Sequence, residues 1–375
     1  MFESLNGGSH VGSLRTLDHA VSRRSLLKYL GVGTAALGSA SLVAACGSNG
    51  SGGPAAAGQM EKFTLASVPG DTFLLDALNV SNKDYARHNL DVPKHIAPSS
   101  GVQGFQLLVA GGIDGMGSDT LNLMATHANG SKGKRPVLVG FRSLETTYGI
   151  AVRKGIDWPG AEASFEEKMR SLKGRKVGVP SIGSGGDLQL KLALEEAGMS
   201  YNDVTPLAVG LTSQAIPNLN AERIDAYVAV QWTASRFAAQ ESGGKVLIDF
   251  SDASVPGLIR DQAVVAIAVR EEMAQERPEL VQKWLAAQDD ASKWILANKD
   301  AAAGILNTTG LGGKGEAIAK AYMEHYATVM EPKLKPMFKV SEKTVEHMAE
   351  IGLRFGNIKK GDITYEKLVP EFARA

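Results

Sequence analysis

The chain has 375 residues, of which 44% are hydrophobic and 21% are charged, an ordinary balance for a soluble protein with one large or two medium domains. Forty Lys and Arg residues balance forty Asp and Glu residues, and 6% of the residues are aromatic. Neither the charge nor the aromatic content supports nucleic-acid binding, and the single cysteine excludes an intrachain disulfide.

The first 45 residues have the pattern of an export signal. Arg23 and Arg24 precede an apolar stretch of small residues that ends in the sequence VAAC at Cys46. The paired arginines resemble the twin-arginine (Tat) export motif, and VAAC resembles a bacterial lipobox. We therefore predict a Tat-type lipoprotein signal peptide over residues 1–45 and lipidation of Cys46, which would tether the exported protein to the membrane. The alternative is a membrane anchor helix with an incidental cysteine.

Residues 46–60 are rich in Gly, Ser and Ala and have no apolar period, which predicts a flexible tether. Removal of residues 1–45 takes away four of the 40 basic and two of the 40 acidic side chains. The remaining chain would carry 36 basic and 38 acidic side chains, a net charge of −2. The predicted signal peptide therefore accounts for the apparent neutrality of the whole chain.

Short apolar runs alternate with runs of helical period from Lys62 onward. In chain order the first series reads as strand KFTLASV, helix 73–88, strand LDVPKHIAP, helix SSGVQGFQLLVAGG, strand IDGMGS, helix DTLNLMATHA, and strands RPVLVGFRS and YGIAVRKG. Ser164 and Glu167 then form a capping-box pattern that predicts the start of another helix.

A second series begins at RKVGVPS, and its strands and helices alternate as far as the strand KVLIDF. The strand DQAVVAIAVREE leaves this series, and the pattern after Glu271 is helical. Two such series predict an α/β protein with two lobes, each a mostly parallel sheet flanked by helices. We assign residues 61–150 and 262–375 to lobe 1 and residues 151–261 to lobe 2, with hinge crossings near 149–153 and 262–266.

Sequence signatures of enzymes are missing. The glycine-rich run between Gly183 and Asp187 has no following lysine, so it is not a nucleotide-binding Walker loop, and no GxSxG nucleophile motif occurs. The histidines beyond residue 45 do not have zinc-ligand spacing, and the one cysteine belongs to the predicted lipid anchor. We therefore expect no catalytic residue, no metal and no cofactor.

Loops rich in Gly, Ser and Thr follow several predicted strands, where open α/β sheets bind their ligands. Free N–H groups at helix starts and nearby hydroxyls suit anions and polar oxygens, although the same residue types also cap helices. The candidate ligand-binding residues are Asp71, Thr72, Ser100, Gly117, Ser118, Ser181, Ser184, Gly185, Thr212, Gln231 and Trp232. Trp232 reads equally well as a wall of the site or as a packed core residue.

Four further residues lie near these loops or the first crossing, and three of them have two interpretations each. Asp119 and Asp187 open helices, so each is a first-turn carboxylate stabilised by the helix dipole or a direct ligand contact. Arg142 and Tyr148 lie near the first predicted crossing. Arg142 could pair with an anionic ligand or with a surface carboxylate.

The stretch LKGRKVGVPSIGSGGDLQLKLALEEAGMSYNDV, with AIPNLNAERIDAYVAVQ after it, resembles the second lobe of ABC-transporter substrate-binding proteins of the nitrate, sulfonate, taurine and thiamine-precursor type. GGIDGMGS and the C-terminal MAEIGLRFGNIKKGDITYEKLVPEFA extend the resemblance from about Lys62 to the C-terminus. The family's aromatic-acid-proline triplet is replaced here by Gln231-Trp232-Thr233, so no particular solute is implied. A related enzyme branch carries a cysteine-rich motif that this chain lacks.

The resemblance implies a type II periplasmic-binding-protein fold of the Venus-flytrap kind. It implies a monomeric, exported, lipid-anchored protein that captures a small anionic organic solute such as a sulfonate, nitrate or taurine. Its partners would be that solute and the membrane subunits of an ABC permease, and the lobes would close on the solute at the hinge. An extracytoplasmic enzyme and a ligand sensor on the same scaffold are the alternative functions.

Overall fold

Two sheets of four and five strands organise the chain in a computed structural model that describes residues 60–335, 338–355 and 357–375. The predicted signal peptide, Cys46 and all of the tether before Met60 lie outside the described residues. The strands are β1 Glu61–Lys62, β2 Leu65–Ala66, β3 Leu90–Asp91, β4 Gly115–Asp119, β5 Pro136–Ser143, β6 Gly149–Val152, β7 Lys176–Val179, β8 Thr205–Ala208, β9 Ala226–Ala229, β10 Lys245–Asp249 and β11 Val265–Arg270.

Helices cover the sheets and make up most of the C-terminal part. They are α1 Leu74–Asn82, α2 Asp84–Arg87, α3 Gly101–Val109, α4 Thr120–Asn129, α5 Phe165–Arg170, α6 Gly185–Glu196, α7 Thr212–Asn220, α8 Trp232–Ser242, α9 Gly257–Arg260, α10 Glu271–Glu276, α11 Pro278–Ala297, α12 Lys299–Gly310, α13 Glu316–His325, α14 Glu331–Lys333, α15 Glu342–Arg354 and α16 Tyr365–Leu368. Single turns of 3₁₀-helix lie at 71–73, 201–203 and 371–373, and a π-helix spans Tyr326–Met330.

The predicted alternation of strands and helices is confirmed, and so is the capping box, since the Ser164 side chain accepts from the N–H of Glu167 and the Glu167 side chain accepts in return. The single helix predicted over residues 73–88 is two helices. Lys83 takes a left-handed conformation, φ 59°, and its N–H bonds to the carbonyls of Asn79 and Val80. This ends α1 before α2 begins.

Lobe 1 is built on the strand order β2-β4-β11-β5, and lobe 2 on the order β10-β6-β9-β7-β8. As predicted, each sheet is mostly parallel, since all of its strands but one run in the same direction. In lobe 1 β11 runs antiparallel to β4 and to β5, and in lobe 2 β6 runs antiparallel to β10 and to β9. These strands enter each sheet directly from the other lobe, without a returning helix, so they run against their neighbours.

The chain crosses between the lobes at residues 144–148, from β5 to β6, and at residues 261–264, from α9 to β11. Residues 149–152 of the first predicted hinge, 149–153, form β6, which is paired on both edges, so the crossing precedes them. The strand of lobe 2 thus begins at Gly149, two residues before the boundary expected from the sequence.

Buried side chains form three clusters. The largest joins both sheets to the helices around them, a second joins α1 to α11, α12 and α13, and a third lies between α7, α8 and β9. Trp232 of lobe 2 belongs to the second cluster, whose other fully buried members are lobe 1 residues. Among the described residues no helix is long and apolar enough to cross a membrane.

Candidate functional site

A cavity of about 80 Å³ lies between the two lobes. On the scale where one water needs about 10–15 Å³, it has room for on the order of six water-sized groups. Its walls are the strand ends and helix starts of both sheets together with the two crossings. The lining residues are Val68, Thr72, Phe73, Pro98, Ser100, Gly101, Met116, Gly117, Ser118, Asp119, Asn122, Thr147, Tyr148, Pro180, Ser184, Gly185, Leu211, Val230, Gln231, Val264 and Val265.

Asp119 ends β4 and caps α4, which places its carboxylate at the cavity wall. Its Oδ1 accepts from the N–H of Asn122 at 2.9 Å, and its Oδ2 accepts from the hydroxyl of Tyr148 at 2.8 Å. Burial raises the pKa of the Asp119 carboxyl, and these two hydrogen bonds oppose the increase. Burial and the neighbouring carboxylate raise the pKa of Tyr148 far above its usual range, so this phenol stays a donor.

Asn122 joins the two lobes. It lies in the first turn of α4, and with its amide nitrogen facing Gly183 it donates to that carbonyl at 3.0 Å. Its side-chain oxygen accepts from the N–H of Gly185 at 2.9 Å. One amide of lobe 1 thus satisfies both a carbonyl and a helix-start N–H of lobe 2.

Gly185 begins α6 at the point of closest approach between the lobes. A Cβ at this position would lie 2.2 Å from Tyr148 Oη and 2.6 Å from Asp119 Cγ. Real Cβ atoms do not approach other atoms so closely, so these contacts between the lobes need a glycine here.

Asp71 makes a second connection between the lobes. This buried carboxylate of lobe 1 accepts from the backbone N–H groups of Trp232 and Thr233, each at 3.2 Å, and from the Thr233 hydroxyl. It therefore caps the N-terminus of α8, whose own N-cap residue supplies no side-chain bond. Gln231 adds a bond from its side-chain amide to the Pro69 carbonyl at 3.2 Å. Burial raises the pKa of Asp71, and its three donors oppose the increase.

Trp232 packs away from the cavity. Its ring stacks on His325 with the ring centroids 5.0 Å apart and lies 5.8 Å from Tyr322, both in α13. The guanidinium of Arg236, one turn along α8, lies 3.4 Å from the ring centroid and pairs with Asp249 at 2.5 Å. Trp232 therefore anchors α8 of lobe 2 against the C-terminal helices of lobe 1.

Arg142 lies just behind the cavity floor, where a Cβ on Gly117 would be 3.2 Å from its Nη1. Its guanidinium donates to Asp76 at 2.8 Å, to Gln288 at 3.1 Å and to the carbonyl of Thr72 at 3.2 Å. The side chain is 3% exposed. Arg142 thus fixes the Thr72 loop from inside lobe 1 and forms a buried ion pair rather than the surface pair considered from the sequence.

The structure brings together seven of the eleven predicted ligand-binding residues. Those that line the cavity are Thr72, Ser100, Gly117, Ser118, Ser184, Gly185 and Gln231. Four others lie outside the lining: Asp71 and Trp232 are used in contacts between the lobes, and Thr212 follows the lining residue Leu211. The Ser181 hydroxyl is buried without a hydrogen bond among the described residues. Contact of the eleven with a solute stays a prediction.

Several lining residues are not among the predicted set. Asn122 lies one turn into α4, and Tyr148 and Thr147 lie in the first crossing. The sequence singles out Asp119 and Tyr148 by their positions. It does not predict the hydrogen bond between them, because 29 residues separate them. Asn122 carries a signal that could have found it, since it is a polar residue one turn after a capping aspartate. Asp187, by contrast, is satisfied within lobe 2 by Gly183, Lys191 and Tyr201.

No cluster of His, Cys, Asp and Glu side chains suited to a metal ion occurs in the described part of the chain. The cavity wall there holds hydroxyls, two side-chain amides, one carboxylate and a phenol beside apolar groups. Such a wall can hold a small polar solute by hydrogen bonds and by contact with its carbon atoms.

Replacing Asp119 with asparagine should change how stability depends on pH. Because burial raises the pKa of Asp119 above its ordinary value of 3.8, the folded state binds this proton more tightly than the unfolded state. Its contribution to the free energy of unfolding therefore falls as the pH rises from the ordinary to the raised value. Asparagine does not titrate, so the variant does not lose this contribution. The free energy of unfolding of the variant, relative to that of the parent, should therefore increase with pH between the ordinary and the raised pKa.

Urea unfolding at intervals between about pH 3.5 and 7.5 measures this difference. Asp157→Asn, at an exposed position, is the control and should show no such trend. A pH-independent difference between the Asp119 variant and the parent would contradict the assignment.

The NMT1-like family matches residues 78–308 of this chain. A protein of Brucella abortus (strain 2308) named "Putative binding protein" is 26% identical over 209 residues, which cover 55% of this chain and 58% of that protein. The match thus spans little more than half the length of this curated relative.

Solved structures share the fold over most of the chain. The alkanesulfonate-binding protein SsuA from Xanthomonas axonopodis pv. citri, bound to MOPS, matches with a TM-score of 0.63 and 15% identity, covering 84% of this chain and 99% of that one. The periplasmic aliphatic sulphonate binding protein SsuA from Escherichia coli matches with a TM-score of 0.61 and 18% identity, covering 84% and 98%. These likenesses confirm the predicted resemblance and the predicted fold class. The chain belongs to the NMT1-like family and has the two-lobed fold of the periplasmic binding proteins.

Proposed function

We propose that this protein is an exported solute-binding protein of an ABC importer. The observation that carries the proposal is a cavity between two lobes, with polar groups in a largely apolar wall, and the lobes are joined beside it by Asn122 and Asp71. A cavity of this kind is accessible when the lobes separate and buries its content when they meet. The family and the fold support the same function.

The solute in this proposal is a small organic anion of the sulfonate, nitrate or taurine-like class. Three serines, Ser100, Ser118 and Ser184, line the cavity, and the hydroxyls of Ser100 and Ser184 also cap α3 and α6. Beside them α3 begins with the N–H groups of Gly101 and Val102, which bond to no acceptor in the described chain. Such donors suit the oxygens of an acid group without a cationic side chain.

We also propose that the protein works at the outer side of the cytoplasmic membrane. The predicted Tat-type signal and the lipid on Cys46 would hold it outside the cytoplasmic membrane as a monomer, beside the membrane subunits of its permease. Metabolic labelling with a radioactive fatty acid tests the anchor, since Cys46→Ser should lose the label. Labelled Cys46→Ser protein would contradict the assignment of Cys46.

A solute that fits the cavity should raise the melting temperature of the purified protein. At a concentration about 100 times the Kd, binding adds about 2.7 kcal/mol to the free energy of unfolding, which corresponds to a shift of about 5 °C. The screen should hold alkanesulfonates, aminoalkanesulfonates, nitrate, small carboxylates and pyrimidine precursors of thiamine.

The absence of a shift with every one of these compounds would contradict the solute class. Recovery of a chemically changed compound after incubation would instead favour an enzyme on the same scaffold. Isothermal titration of each positive compound distinguishes binding at one site from a general effect on stability.

A further inference from the structure

The cavity has one formal charge, and it is negative. Among its lining residues Asp119 is the sole acid, Tyr148 is the other titratable group, and none of the lining residues is Lys, Arg or His. An anion that entered with no positive group of its own would therefore place like charges together in a buried space. Two like charges in a buried space repel each other strongly, because little water is present to screen them.

The positive charge of Arg142, behind the cavity floor, does not offset the negative charge of Asp119. Arg142 is already bound to Asp76, Gln288 and the Thr72 carbonyl. Gly117 separates its guanidinium from the cavity, and the side chain is 3% exposed. The positive charge of Arg142 is thus matched by Asp76, which leaves the Asp119 carboxylate without a counterion among the described residues.

The Asp119 carboxylate also has unused capacity to accept hydrogen bonds. Each of its oxygens receives one bond, from the Asn122 N–H and from the Tyr148 hydroxyl. A carboxylate offers about four acceptor positions, so about two remain. The Tyr148 hydroxyl, in turn, donates its one proton to Asp119, so its oxygen can still accept a hydrogen bond, and Tyr148 lines the cavity.

We propose that Asp119 is a specificity-determining residue that selects solutes carrying a protonated amine, with Tyr148 as its partner. An ammonium group presents three donors and a positive charge, which match the two free acceptor positions of Asp119 and the oxygen of Tyr148. This inference rests on the proposed function. It narrows the solute to a compact zwitterion whose amine meets Asp119 and whose acid group meets the hydroxyls and N–H groups at the start of α3.

The size and the wall of the cavity limit the rest of the solute. The volume of about 80 Å³ suits a molecule of on the order of six or seven non-hydrogen atoms. Phe73, Met116, Leu211 and Val230 supply apolar contact for a short carbon linker between the two polar groups. Nitrate lacks both the linker and the amine, and a simple alkanesulfonate lacks the amine.

Titration calorimetry with matched pairs of compounds tests the proposal. The pairs are 2-aminoethanesulfonate with ethanesulfonate, and β-alanine with propionate. The amine of at least one pair should bind about tenfold or more tightly than its partner, because a charge-assisted hydrogen bond to a buried carboxylate is among the stronger polar contacts. Asp119→Asn should bring that ratio close to one, because the neutral amide offers no negative charge.

A second measurement does not depend on the variant. Burial raises the pKa of Asp119, so lowering the pH toward 4 should protonate it and weaken binding of 2-aminoethanesulfonate, whereas binding of ethanesulfonate should not weaken. The acid group of a sulfonate stays ionised through this range. Tyr148, the other titratable group of the wall, keeps its proton because its pKa is raised.

The outcomes distinguish a failure of the proposed role of Asp119 from a failure of the proposed function. Equal or tighter binding of the compounds without an amine, or an amine preference that persists in Asp119→Asn, would overturn the role of Asp119 and leave the proposed function standing. Failure of every pair while another compound of the screen binds would also overturn it. Failure of all compounds would overturn the proposed function as well.

Discussion

Replacing Asp71 with alanine should weaken solute binding about tenfold to a hundredfold while both lobes stay folded. In the parent protein Asp71 accepts three hydrogen bonds from the start of α8 in the opposite lobe. When the lobes of the variant meet, the N–H groups of Trp232 and Thr233 become buried without an acceptor. A buried unsatisfied donor costs about 1–3 kcal/mol, and about 1.4 kcal/mol corresponds to a tenfold change in affinity.

The expected loss of solute affinity in Asp71→Ala arises from the equilibrium between separated and closed lobes. If the closed state alone holds the solute tightly, the apparent Kd rises as the closed fraction falls. Small-angle scattering should show a larger radius of gyration for Asp71→Ala than for the parent, and calorimetry should show the weaker affinity. Asp157→Ala, which removes an exposed aspartate of lobe 2, is the matched control. Unchanged affinity in the Asp71 variant would show that the contact does not contribute to closure.

Replacing Gly185 with alanine should weaken solute binding tenfold or more without destabilising α6. The added methyl group would lie 2.2 Å from Tyr148 Oη and 2.6 Å from Asp119 Cγ. Overpacking of this kind costs about 1–3 kcal/mol, and the cost falls on the closed arrangement because the three residues come from both sides of the cavity. Gly185 is not among the glycines with positive φ, so alanine fits the helix backbone itself.

Gly304→Ala in α12 is the matched control, since a Cβ there meets no atom within 4 Å. It should leave solute affinity unchanged and increase the free energy of unfolding by about 0.5–1 kcal/mol. The two variants together separate a helix effect from a closure effect. Parent-like affinity in Gly185→Ala would mean that the lobes do not meet at this point when the solute is bound.

Local sequence patterns predicted much of the architecture. Apolar alternation identifies the strands, Ser164 with Glu167 identifies the start of α5, and the Gly-Ser loop before α6 identifies a wall of the cavity. These features depend on neighbours within about four residues, so the sequence contains their cause. The reversed direction of β6 and β11 was not predictable in this way, because these two strands pair with strands that are distant in the chain.

The packing of the Trp232 side chain could not be predicted from its neighbours in the sequence. Its position after β9 suggested a wall of the binding site, yet it packs on Tyr322 and His325, about 90 residues later in the chain. The hydrophobic stabilisation gained by burying a large ring depends on which surfaces meet it, and no pattern around residue 232 specifies them. Asp71 behaves likewise, since it satisfies a helix start 161 residues away.

The amino-acid sequence by itself determined the two α/β series, the polar loops that end their strands, the absence of enzyme motifs and the export pattern of the first 45 residues. Each of these follows from residue type and from spacing along the chain. The tertiary structure alone decided which loops face one another, that Asp71 and Asn122 join the lobes, and that Asp119 is the one charged side chain that the described residues place in the cavity wall. Those properties arise from burial and from hydrogen bonds between distant segments, and they exist only when both lobes are folded and in contact.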